Sequence, residues 1–243
     1  MKLNDSIILI TGASSGLGLA LAELLAQRGA NLVIAARGEA ALRSAAARLR
    51  EHTHVLAIAA DVSEDAERIV AEGLARFGRI DALINNASEL GPSPMPTLDA
   101  LDWESFERIL RVNAIAPLHL IQLLLPQMRE RGAGTIVNIS SDAGVNAYPG
   151  WGGYGASKAA LEHISRTLNA ELEGSGIRVL AVDPGDMNTT MHQLAEPGVD
   201  LSDLPKPSQV APAILALLEE DAPAGRYQAQ ELVHSQELVH AVR

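Results

Sequence analysis

The chain has 243 residues, 47% hydrophobic and 20% charged, which suits one α/β domain with a buried core and excludes a largely disordered chain. Asp and Glu number 30 against 19 Lys and Arg, a net charge of −11, so a polyanion is repelled and nucleic acid is not expected as a partner. Cysteine is absent, which excludes disulfides, a thiolate nucleophile and Cys-bound metal. No apolar run approaches the roughly 18 residues of a membrane span. The Ile7–Ile10 run is too short for a signal peptide. A soluble, cytoplasmic protein is expected.

The apolar run Ser6–Thr11 predicts a buried strand ending at Gly12. Leu17, Leu21, Leu24 and Leu25 recur at helical spacing, predicting a helix over Leu17–Arg28 that Gly29 stops. A strand over Asn31–Ala36, an alanine-rich helix over Ala40–Arg50, a strand over Val55–Ala60, a helix over Glu64–Phe77 and a strand over Ile80–Asn85 follow. Gly91–Pro96 is a proline-rich loop. Leu101–Arg131 predicts a long helix containing Pro117 and Pro126, then a strand over Gly134–Ser140, a helix over Tyr154–Glu173, a strand over Ile177–Asp183 and a helix over Gln209–Glu219. No closing strand is read after Ala224-Gly225, and 226–243 is taken as a C-terminal tail in which Gln230–His234 repeats at Gln236–His240. Alternating strands and helices, with strands apolar on both faces, imply a single-domain, doubly wound parallel sheet of six to seven strands with helices on both faces.

Thr11-Gly12-Ala13-Ser14-Ser15-Gly16-Leu17-Gly18 joins the first strand to the first helix, where a dinucleotide fold carries its phosphate-binding turn. Gly12 lets the chain leave the strand, Gly16 lets backbone approach a pyrophosphate, and Gly18 allows close helix–strand packing. The helix N-terminus offers free N–H groups to phosphate. The second strand ends Ala35-Ala36-Arg37-Gly38. An acidic residue there would hold a ribose 2′-hydroxyl; an arginine instead suits a 2′-phosphate. NADP(H) is therefore expected over NAD(H).

Tyr154 and Lys158 are four residues apart on a predicted helix, so their side chains converge. An ammonium ~4 Å from a phenol contributes roughly 4 kcal/mol at an effective dielectric of ~20, about three units off the tyrosine pKa before desolvation opposes it. The pair is a plausible general acid/base. Ser140 and Ser141 leave the fifth strand, and a hydroxyl there suits a carbonyl oxygen developing charge. Pro117 has no N–H for the carbonyl of Asn113, so the long helix should kink and leave that carbonyl free to hold a water. The histidines, including His52, His54, His119, His163 and His192, form no convincing metal set. His192 is a candidate for the substrate pocket.

Together the glycine loop, Asn113, the serine and Tyr154-Gly155-Ala156-Ser157-Lys158 resemble the short-chain dehydrogenase/reductase family, over about Ser6 to Glu219. The resemblance implies a Rossmann fold. It also implies an enzyme of the class EC 1.1.1.- that moves a hydride between NADP(H) and a small carbonyl or alcohol. Its spacing selects Ser141, thirteen residues before Tyr154, as the residue that polarises the carbonyl. Tyr154 is then the acid/base, Lys158 holds the nicotinamide ribose, and Asn113 extends a proton relay. For the cofactor it implies Gly12, Ser14, Ser15, Gly16, Leu17 and Gly18 at the phosphates, Arg37 at the adenosine ribose, and Asp61 and Val62 at the adenine. Asn86 and Ala87, from an Asn85-Asn86-Ala87-Ser88 stretch with Ser88 in place of glycine, lie beside the nicotinamide. Pro184, Gly185, Met187 and Thr189 close over it. Residues 190–207 form a substrate lid, with Met187, Met191 and Leu194 as apolar candidates. The two long helices make a homodimer or homotetramer. The alternatives are an NAD-dependent dehydrogenase of the same fold and a non-catalytic cofactor-binding regulator; a sugar-nucleotide epimerase or dehydratase and a methyltransferase fit less well.

Overall fold

The computed structural model describes residues 1–232. In chain order the elements are β1 (Ile7–Thr11), α1 (Gly16–Gln27), β2 (Asn31–Ala36), α2 (Glu39–Leu49), β3 (Val55–Ala59), α3 (Ala66–Phe77) and β4 (Ala82–Asn85). Then come α4 (Trp103–Leu110), a π-helical segment (Arg111–Ile115), α5 (Ala116–Arg131), β5 (Gly134–Ile139), α6 (Gly152–Glu171) and β6 (Ile177–Asp183). The chain continues through α7 (Thr190–Ala195), α8 (Pro207–Glu219) and β7 (Gly225–Gln228). The predicted strands and helices fall within two residues of these bounds.

The strands form one parallel sheet in the order β3-β2-β1-β4-β5-β6-β7. Alternation along β1 divides the core. Ile8 and Ile10 pack with Leu21 and Leu25 of α1 and Ile214 and Leu218 of α8. Ile7 and Leu9 face the other layer, with Ile69 of α3 and Leu120, Ile121 and Leu124 of α5. The strand order reverses between β1 and β4, and ligands bind such sheets beyond the strands' carboxyl ends at that point.

Three expectations need correction. A seventh strand does close the sheet, with Leu180↔Gly225 to Asp183↔Gln228 in parallel register. Its sequence, Gly-Arg-Tyr-Gln, lacks an apolar run because backbone pairing at the sheet edge holds it rather than burial of alternate side chains. Residues 226–228 therefore belong to the sheet and not to a tail; the first QELVH copy runs past the described residues and the second lies wholly outside them.

At Pro117 the long helix widens into the π segment, which the expected kink did not specify. The Ala116 N–H reaches back five residues to the Arg111 carbonyl. The proline cannot supply the ordinary bond to Asn113, and such π segments recur at functional sites.

That same helix, Trp103–Arg131, is also long and apolar enough to cross a membrane by length and composition. In the fold its apolar side is buried instead: Leu120, Ile121, Leu124 and Met128 lie inside the second core layer.

Candidate active site

A cleft of about 550 Å³ opens at the strands' carboxyl ends. Gly12, Ser14, Ser15, Gly16 and Leu17 line one part, and Ser141, Tyr154 and Lys158 line another. Asn86, Ala87, Arg37, Pro184, Gly185, Met187 and Thr189 also reach its wall. Gly18, Asp61, Val62 and Asn113 do not; Gly18 packs under the Gly12 turn and Asn113 holds the loop after β4 from behind.

The glycine loop is built for a close approach. A Cβ on Gly12, at φ +68°, would stand 2.8 Å from Asn86 Nδ2, and one on Gly18 2.5 Å from the Gly12 carbonyl oxygen. Gly16, at φ +56°, has no neighbouring atom within 4 Å of such a position, so its backbone is laid open to the cleft. Ser15 begins α1 without a side-chain cap, and no acidic residue occupies the first turn. The first N–H groups of α1 are thus left for an outside acceptor, and the helix end favours an anion. These features fit the pyrophosphate of a dinucleotide.

Asn86 donates to the Thr11 carbonyl at 2.9 Å and the Gly12 carbonyl at 3.2 Å, so its side chain ties the loop after β4 to the glycine turn. Farther out, Arg37 pairs with Glu89 at 3.3 Å, and Arg108 stands 3.5 Å from Glu89 and 3.4 Å from Asp61. Burial pushes the Asp61 carboxyl upward, but bonds from Ser63 and the charges of Arg108 and Arg37 hold it below its ordinary value.

At the catalytic end, α6 brings Tyr154 and Lys158 together. Lys158 Nζ lies 5.4 Å from the Tyr154 ring centre and donates to the Ile139 carbonyl at 2.8 Å. Burial pulls the Lys158 ammonium down to about 8, against an upward pull from Asp183. Burial drives the Tyr154 phenol up to about 12; the Ser88 and Ser141 hydroxyls oppose this, and the carboxylates of Asp183 and Asp142 add to it. The expected lowering of Tyr154 by Lys158 is therefore corrected. Both groups are buried, and desolvating a phenolate outweighs what a cation held on a main-chain carbonyl returns.

Ser141 accepts from the Ala143 N–H and donates to Asp142, both at 3.2 Å. Its neighbour Ser140 also reaches the cleft wall but is buried, with its hydroxyl committed to Glu162 at 2.7 Å. Asn113 uses its whole side chain: Oδ1 accepts from the Glu89 N–H (2.7 Å) and the Ser88 hydroxyl (3.2 Å). Its Nδ2 donates to the Glu89 carbonyl (2.8 Å) and the Ser157 hydroxyl (2.9 Å). The π segment thus clamps the loop after β4 beside the tyrosine.

Sequence reasoning missed Glu89, Trp151 and a buried charge cluster. Arg226 of β7 donates to Glu162 at 2.9 Å and Asp183 at 3.1 Å. Burial holds Asp183 above the usual carboxylate range despite Arg226 and the Gly185 N–H. Its charge reaches Lys158. The presence of Asp183 just before Pro184-Gly185 was visible, but its partner lies 43 residues away. Among the described residues no group of three or more His, Asp or Glu could hold a metal ion.

A family model described as short chain dehydrogenase matches residues 6–199. An uncharacterized oxidoreductase of Escherichia coli K12, YciK, is 33% identical over 90% of this chain and 88% of its own. A short chain dehydrogenase of Shigella flexneri 2a, solved with NADP, superposes at TM-score 0.85 with 30% identity, covering 94% of this chain and 98% of that one. An NAD+-bound xylitol dehydrogenase superposes at 0.83 with 25% identity, over 94% and 98%. With this site and these matches, the chain belongs to the short chain dehydrogenase family of oxidoreductases.

Proposed function

We propose that this oxidoreductase interconverts a carbonyl and an alcohol with NADP(H). The carrying observation is that one cleft joins the open backbone at Gly16 to Ser141, Tyr154 and Lys158. When bound, the nicotinamide supplies or accepts the hydride. Ser141 holds the substrate oxygen, and Tyr154 gives that oxygen its proton during reduction. Lys158 keeps a positive charge beside the phenol and holds the nicotinamide ribose. Asn113 fixes the loop that carries Ser88 against the phenol and continues the proton path. Asp61 and Val62 support the adenine side, and Pro184–Thr189 cover the nicotinamide side.

Arg37 supports NADP(H) because β2 ends without an acidic residue and the arginine side chain is more than half exposed. The NAD+-bound relative keeps NAD(H) as the second reading. Residues 190–207 act as the substrate lid, and exposed Trp103 and Ile115 along the long helix support assembly of copies through that helix. Tyr154→Phe tests the central reading. It is expected to abolish turnover of a carbonyl panel while NADPH binding, followed by nicotinamide fluorescence, stays within about twofold. Wild-type turnover in that variant would refute it.

A further inference from the structure

Charge at the catalytic end of the cleft limits what can be reduced there. Two basic residues other than histidine line the cleft among those described, Arg37 and Lys158. Arg37 sits at the end of β2, away from Tyr154, and faces Glu89. Lys158 is 2% exposed and donates to Ile139. The remaining base, His192, has a carboxylate at each ring nitrogen: Asp186 at 3.8 Å and Glu196 at 3.2 Å. Asp142 adds a further acid, 3.2 Å from the Ser141 hydroxyl and 2.6 Å from that of Tyr148.

Neutral hydroxyls such as Ser88 and Thr190 and several apolar side chains also line this end. Trp151 sets its edge against Tyr154, with ring centres 5.9 Å apart, and against His192 at 6.5 Å. Leu194 of α7 lines the cleft, and its carbonyl accepts from Ser93 at 2.7 Å. That bond joins the lid helix to the proline-rich loop over the site.

We propose that the substrate is a carbonyl compound with an apolar body and no phosphate, sulfonate or carboxylate. The proposal rests on the carbonyl–alcohol reading above. The carbonyl carbon gains a hydride from reduced nicotinamide, which is oxidised, and the oxygen gains the Tyr154 proton. A substrate anion at this end would meet carboxylates on two sides, and the one lysine there, Lys158, is buried and bonded to the Ile139 carbonyl, whereas a flat apolar body meets Trp151 and Leu194.

The test uses three ketones of one shape: 4-methylacetophenone, 4-acetylbenzoate and 4-acetyl-N,N,N-trimethylanilinium. Trp103 is 71% exposed and is replaced in Trp103→Phe, which leaves Trp151 as the sole tryptophan reporter. Quenching of Trp151 in the full chain with NADPH gives each Kd, and NADPH oxidation gives turnover. The benzoate is expected to bind at least about tenfold more weakly than the neutral ketone, a difference of about 1.4 kcal/mol, and the anilinium no more weakly than the neutral one. Leu194→Arg should bring the benzoate to within about threefold of the neutral ketone. Benzoate binding as tightly as the neutral ketone in the Trp103→Phe protein, or no quenching by any of the three, overturns the proposal. The expected binding order without reduction of any ketone by NADPH or NADH would uphold the charge selection and overturn the carbonyl–alcohol reading instead.

Discussion

Lys158 Nζ stands 5.4 Å from the centre of the Tyr154 ring while bonded to the Ile139 carbonyl, so the two groups share a buried pocket without a direct bond between them. Burial moves their pKa values in opposite directions, the phenol to about 12 and the ammonium to about 8. Tyr154 then keeps its proton throughout neutral pH, as the proposed donor must. Reduction should hold a plateau up to about pH 8 and fall above it, as Lys158 loses its charge. Alcohol oxidation needs the phenolate and should rise with pH across the same range. The folded value of Lys158 lies below its unfolded one, so the unfolded chain binds more protons between about 8 and 10.5. The lysine's own contribution to stability therefore increases with pH in that window. Profiles of kcat/KM in both directions check the first point. A reduction limb that falls near pH 6, or one above pH 8 that survives Lys158→Met, would contradict it.

The adenosine end offers a second prediction. Arg37 and Arg108 both face Glu89, at 3.3 and 3.5 Å. A 2′-phosphate that takes Arg37 leaves Glu89 with Arg108, so no carboxylate is stranded. Glu89→Gln removes the competitor and should tighten NADPH binding severalfold while leaving NADH within about twofold. Arg37→Ala should weaken NADPH about tenfold or more, the scale of a charge-assisted bond to phosphate. NADPH and NADH titrations of both variants decide this. Equal shifts for the two cofactors would show that Arg37 does not read the 2′ position.

What the sequence made legible is what is local. The glycine turn, the four-residue step from Tyr154 to Lys158, and the missing N–H of Pro117 are properties of short segments, and each reappears in the structure. The proline's consequence was partly legible: a disturbed helix follows from its chemistry, but the π segment and the four-bond clamp of the Asn113 side chain need the neighbouring loop. Pairs such as Arg37 with Glu89, 52 residues apart, carry no spacing signal. The Tyr154 pKa is not legible in the sequence for the same reason. Its neighbour four residues on is written in the chain, but the burial that outweighs that neighbour is assembled from β5, α6 and the loop after β4. Strand β7 was hidden because a short polar edge strand has no hydrophobic period to show.

Arg226 shows how much that hidden strand matters. It is the positive charge bonded to two buried carboxylates, Glu162 and Asp183, and Asp183 also receives the Gly185 N–H at 2.9 Å. Removing one hydrogen-bond partner of a buried polar group costs about 1–3 kcal/mol, and the 30% exposure of Arg226 keeps this pair in that range rather than the higher one of a fully buried ion pair. Arg226→Met should therefore lower Tm by roughly 3–9 °C in a chain of this length. The pH dependence carries a definite sign. Asp183 already sits above the usual carboxylate range because it is buried, and loss of Arg226 raises it further. A carboxyl raised in the folded state stabilises below its unfolded value and loses that contribution as pH rises through the folded one. The Tm deficit of Arg226→Met should be largest at pH 7 and shrink toward pH 4.5. Adding Asp183→Asn to Arg226→Met should recover part of the deficit at pH 7, because the stranded charge is gone. Thermal unfolding of the single and double variants at both pH values measures this, and a deficit that is unchanged by acid and by the second substitution would show that Arg226 acts by packing alone.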